Sequence, residues 1–70
     1  MQGVVKVYDP LTGFGVIIRD EDRGQVFLRP GSLDGSIFRT LRQGQRVVFE
    51  TEVDGESLFA ATVRIGSDGY

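Results

Sequence analysis

Apolar and polar residues alternate with a two-residue period over several short stretches of this chain, and each stretch is bounded by glycine, proline or aspartate. Around Thr12-Gly13-Phe14-Gly15-Val16-Ile17-Ile18-Arg19 the pattern places Phe14, Val16 and Ile18 on one face and Gly15, Ile17 and Arg19 on the other. A two-residue period belongs to a strand, whose successive side chains point to opposite faces. The same signal predicts strands over Gly3–Tyr8, Gln25–Arg29, Arg46–Val53 and Ser57–Ile65. The first is irregular, with Val5 and Val7 on one face and Val4, Lys6 and Tyr8 on the other. Either a bulge or burial on both sides accounts for it.

Turn chemistry separates these stretches. Asp9-Pro10-Leu11-Thr12-Gly13 and Asp20 to Gly24 read as polar turns, so the first three strands form a meander. Asp54-Gly55 signals a hairpin between the last two. Pro30 to Gln45 carries glycines at 31, 35 and 44 and no sustained helical period, which predicts a long loop with one short helical turn near Gly31-Ser32-Leu33. Loops longer than about 12 residues are uncommon unless they serve a function. Five short strands with one long loop after the third predict an all-β fold, a small five-stranded antiparallel barrel. The expected domain spans 1–66, with a short flexible tail at 67–70.

Composition narrows the chemistry. Seventy residues suffice for one domain with one small core. No apolar run approaches the roughly 18 residues of a membrane span, and no basic stretch precedes an apolar run at the start, so neither a membrane segment nor a signal peptide is expected. The chain has no cysteine and no histidine. A cytoplasmic home is expected, with no metal site, no cofactor and no catalytic residues, so the chain reads as a non-enzyme. The acidic run Asp20-Glu21-Asp22 lacks the rest of a calcium loop and reads as a solvated turn.

The net charge of −2 argues mildly against nucleic acid, although seven of the eight basic residues are arginine. The planar arginine head pairs with phosphate or stacks on a base. If Val26 and Leu28 enter the core, Phe27 and Arg29 emerge beside Phe14 and Val16 on the outer face. Glycines on both sides of Phe14 leave its ring clear, which suits a planar partner such as a nucleobase. The competing reading is a tight strand entry whose Phe14 covers part of the core. Phe38, followed by Arg39, is either an exposed aromatic next to a cation or, with Ile37 and Leu41, a plug at one end of the barrel.

Gly3-Val4-Val5-Lys6, Gly13-Phe14-Gly15, Val26-Phe27, Phe38-Arg39-Thr40-Leu41, Gly44-Gln45-Arg46-Val47-Val48-Phe49-Glu50 and Ala60-Ala61-Thr62-Val63, in this order and spacing, resemble the bacterial cold-shock protein family. The resemblance runs from about Gly3 to Val63. It implies an OB-fold that binds single-stranded RNA or DNA, with RNA chaperone activity or regulation of transcription or translation. Carried over residue by residue, it implies nucleic-acid contacts by Lys6, Tyr8, Phe14, Phe27, Arg29, Phe38 and Arg39.

The chain also departs from the family pattern. The first motif, usually Lys-Gly-Phe-Gly-Phe-Ile, is Thr12-Gly13-Phe14-Gly15-Val16-Ile17 here. The second, usually Val-Phe-Val-His-Phe, is Val26-Phe27-Leu28-Arg29-Pro30. Val7 replaces the usual tryptophan, and Phe59 replaces a glutamine. Phe59 either adds a ring to the surface or enlarges the core, and the core is the favoured place. Base–aromatic stacking is worth roughly 1–3 kcal/mol per base, so rings lost at Val7, Val16 and Pro30 imply weakened or altered binding. The rival expectation is a protein-interaction module using Val7, Val16, Ile18 and Pro30. A monomer is favoured over a dimer.

Overall fold

The computed structural model describes residues 1–33 and 40–65. The expected plug residues Ile37 and Phe38, the cation Arg39 and the tail at 67–70 lie outside the described residues. Strands form where β-branched and aromatic residues are dense: β1 is Gln2–Tyr8, β2 Gly15–Arg19, β3 Gln25–Leu28, β4 Arg46–Asp54 and β5 Ser57–Ile65. They close into a barrel in the order β1-β2-β3-β5-β4, with β4 returning to β1.

A ring with an odd number of strands cannot alternate in direction all the way round. Here β1–β2, β2–β3, β4–β5 and β1–β4 are antiparallel, so the remaining junction, β3–β5, is parallel. The antiparallel barrel expected from sequence therefore carries one parallel seam, where Phe27 is paired with Phe59.

The inward faces supply the core. Val5, Ile17, Val26, Leu28, Val47, Phe49, Ala60 and Val63 are buried on the strands, and Leu41 joins them from the loop before β4. Burying a large aliphatic or aromatic side chain contributes roughly 1.5–3 kcal/mol, which makes this cluster the main stabilising element of a chain this short.

Two irregularities change which side chains face outward. Between Val5 and Val7 the register against β2 slips by one residue, because Lys6 is an extra residue in β1. Beyond that bulge Val7 turns outward while Tyr8 packs against the core, opposite to a simple alternation from Val5. The second slip lies between Val48 and Glu50 of β4, where β5 holds the extra residue near Thr62. Thr62 has φ of 51°, in the left-handed region that a β-branched side chain rarely enters. Val63 and Ala60 both face inward across this bulge, which leaves Phe59 outward.

The turns follow their chemistry with two differences. The β4–β5 hairpin pairs Asp54 with Ser57, so its central residues are Gly55 and Glu56 rather than Asp54 and Gly55. Gly55, with φ of 65°, supplies the positive angle that a two-residue hairpin needs at its first central position. After β3 the short helical turn expected near 31–33 is a plain turn, closed by a hydrogen bond from Ser32 N–H to the Arg29 carbonyl at 2.9 Å. The Asp20-Glu21-Asp22 run lies exposed in the β2–β3 turn, as expected.

Candidate nucleic-acid interface

The loop from Asp9 to Phe14 sets the first aromatic. Asp9 N–H donates to the Phe14 carbonyl at 2.9 Å, and Gly13 N–H donates to the Asp9 carbonyl at 2.8 Å. The Asp9 carboxylate accepts from Leu11 N–H at 2.9 Å, a local bond typical of an Asp-initiated turn. Gly13 has φ of 81°, and a Cβ there would come within 3.1 Å of the Pro30 Cα. Glycine at 13 therefore allows the loop to pass close to the chain leaving β3. Phe14 emerges from this loop 56% exposed, well outside the core.

Phe14 does not stand alone. Val7, Phe14, Gly15, Val16, Phe27 and Phe59 line one open, mainly apolar groove of about 460 Å³ on the barrel's outer wall. A volume between about 300 and 1,000 Å³ is that of a small-ligand site. Val7 is 51% exposed, and the rings of Phe27 and Phe59 are only partly covered. Gly15 holds the floor close: a Cβ at that position would approach the Val7 carbonyl oxygen to 2.6 Å.

Phe59 is the residue whose place sequence reasoning missed. Its ring lies 6.2 Å from that of Phe27, centroid to centroid, tilted by 52°. It belongs to the groove and not to the core. Plain alternation along β5 puts it there, since Leu58 packs on the core and Ala60 is buried, one on either side of it.

The other expected contact residues divide. Phe14 and Phe27 share the groove. Lys6, at the β1 bulge, is exposed and makes no ion pair among the described residues. Tyr8 is half-buried and packs on the core. Arg29 is committed inside the chain: its guanidinium lies 4.1 Å from the Phe59 ring centre, and Nη1 sits 2.7 Å from the Asp54 carboxylate. Phe38 and Arg39 lie outside the described residues.

The residues expected of a protein-interaction module are distributed along the outer wall. Val7 and Val16 line the aromatic groove, Ile18 lines a different depression with Val4, and Pro30 borders a third with Arg29. Ile18 shares the outer face of β2 with Val16, one step further along the strand.

Part of the charge on the barrel is paired. Arg19 meets Asp22 at 2.8 Å, and Arg46 is bonded to Asp20. These pairs flank the β2–β3 turn, away from the groove-lining residues. Glu52 and Asp54, near the tip of the β4–β5 hairpin, pair with Arg29. Among the described residues no cluster of acidic side chains has the arrangement to hold a metal ion, and no helix is long and apolar enough to cross a membrane.

Comparison with known proteins agrees with this geometry. The cold shock-like protein CspG of Shewanella violacea is 39% identical over 61 residues, covering 87% of each chain. The cold shock-like protein of Thermotoga maritima is 37% identical over 65 residues, covering 93% of this chain and 97% of the relative. The cold shock-like protein CspA of Stigmatella aurantiaca is 37% identical over 62 residues. With a closed five-strand barrel, an aromatic groove on its wall and a family model that matches residues 1–65, the chain belongs to the 'cold-shock' DNA-binding domain family and is a nucleic-acid-binding, cold-shock-like protein.

Proposed function

We propose that the groove binds single-stranded RNA or DNA by stacking bases on Phe14, Phe27 and Phe59, with Lys6 meeting the phosphate backbone. The observation that carries this reading is the gathering of three partly exposed rings in one open apolar groove. A flat ring accepts any base on its face, so such a groove grips strands with little regard to sequence. Binding of this kind holds strands unpaired without bond-making, which fits an RNA chaperone or a regulator of transcription or translation acting as a monomer.

The grip is weaker than a fully ringed surface would give. Val7 and Val16 occupy groove positions where the family pattern has rings, and neither offers a π-face. Each missing stack removes roughly 1–3 kcal/mol, and Phe59 restores only one.

The test is a fluorescence anisotropy titration with labelled oligouridylate and oligodeoxythymidylate at low salt. Saturable binding is expected, weakened about 5- to 150-fold by Phe14→Ala or Phe27→Ala. A flat titration up to high micromolar protein, or binding indifferent to both substitutions, would remove this reading.

A further inference from the structure

Arg29 leaves β3 with its backbone fixed. Its N–H donates to Ser32 Oγ at 2.9 Å, while Ser32 N–H donates back to the Arg29 carbonyl at 2.9 Å. This clasp sets the side chain across the seam toward β5 and the tip of β4. There three groups of the chain meet it: the Phe59 ring, 4.1 Å from Cζ; the Asp54 carboxylate, 2.7 Å from Nη1; and the Glu52 carboxylate, 3.7 Å from Nη2. One cation is thus shared by two acids while it lies over an aromatic face.

The two features have the same consequence. The planar donors of a guanidinium suit carboxylate and phosphate oxygens alike, so Glu52 and Asp54 occupy the place a phosphate would take. The guanidinium also lies where a base would stack on Phe59. We infer that Glu52 and Asp54 form an internal latch, holding Arg29 across Phe59 in competition with the nucleic-acid strand. The inference rests on the groove being the binding surface. A strand gains Arg29's charge and the second face of Phe59 only by displacing the two carboxylates.

The latch is built to yield. The Arg29 side chain is 37% exposed, and those of Glu52 and Asp54 are 63% and 64% exposed. Pairs this open to water shift an equilibrium by only about 1.5- to 5-fold. The latch therefore tunes affinity and does not abolish it. The sequence alone hides it, because Arg29 and Asp54 lie far apart in the chain and meet only across the β3–β5 seam.

A double-mutant cycle on the intact chain tests the latch. Wild type, Arg29→Gln, the pair Glu52→Gln with Asp54→Asn, and the triple variant are titrated against fluorescein-labelled oligodeoxythymidylate at low salt, with thermal unfolding confirming that each is folded. The acid-free pair is expected to bind about 2- to 5-fold tighter than wild type. Arg29→Gln is expected to change wild-type binding less than about 2-fold, yet to cost about 5-fold or more once the acids are neutralised. If Arg29→Gln has the same effect in both backgrounds, the acids act by general repulsion and the latch is overturned, although the groove reading stands wherever Phe14→Ala and Phe27→Ala still weaken binding. If none of the four folded proteins binds, the groove reading falls and the latch falls with it.

Discussion

Phe27 and Phe59 face each other across the parallel β3–β5 seam, ring centroids 6.2 Å apart and planes tilted by 52°. A tilted pair at this distance is a favourable aromatic contact, worth about 0.5–1.5 kcal/mol beyond the area it covers. Because neither ring is buried, the pair forms part of a wall that a third flat group can enter.

Phe59→Ala should separate binding from stability. A stacking platform lost costs roughly 1–3 kcal/mol of oligonucleotide affinity. A phenylalanine removed from a core would instead cost about 3–5 kcal/mol of stability. The expected outcome is a clear loss in an anisotropy titration and a stability loss of about 0.5–1.5 kcal/mol, that of its contact with Phe27, well short of a core deletion. The reverse pattern would return Phe59 to the core.

Val16→Phe should strengthen binding. Val16 lines the groove beside Phe14 and Phe27 and is paired with Phe27 across β2–β3. A ring there adds a stack worth roughly 1–3 kcal/mol, or about 5- to 150-fold in affinity. Equal affinities for the variant and the wild type would show that bases do not reach this part of the groove.

Lys6 should set the salt response. For single strands the logarithm of affinity falls with the logarithm of salt by about 0.7 for each phosphate neutralised. Lys6→Gln is expected to reduce that slope by about 0.7. A titration series across salt concentrations measures it, and an unchanged slope would mean that Lys6 meets no phosphate.

Thr62→Gly should stabilise the barrel without touching the groove. A β-branched residue at φ 51° carries strain of about 1–3 kcal/mol, while glycine costs about 0.5–1 kcal/mol in extra backbone freedom. The net gain of about 1 kcal/mol corresponds to a rise in Tm of about 4–8 °C for a domain of this size. A fall in Tm would mean that the threonine side chain holds the bulge in place.

Much of the architecture was legible because strands and turns are written locally. β-branched residues marked β1 to β5, and glycine and aspartate marked the turns between them. Phe27 could be placed outward because β3 is short and regular, and Phe14 because β2, which it leads into, alternates without a break. Val7 and Tyr8 could not be placed from alternation, because both lie beyond the bulge at Lys6 and one extra residue reverses every later face. Lys6 and Thr62 look like ordinary strand residues in sequence. The engagement of Arg29 by Asp54 and Glu52 depends on barrel closure, which no local pattern records.

The extra residue at Lys6 has an evolutionary consequence. By turning Val7 out and Tyr8 in, it assigns the surface and the interior to neighbouring positions on one strand. Mutations at Val7 and Val16 can therefore adjust the hold on a ligand while the volume of the interior stays constant. A lineage can drift from tight to loose binding and back through such positions, with the barrel itself shielded from the search.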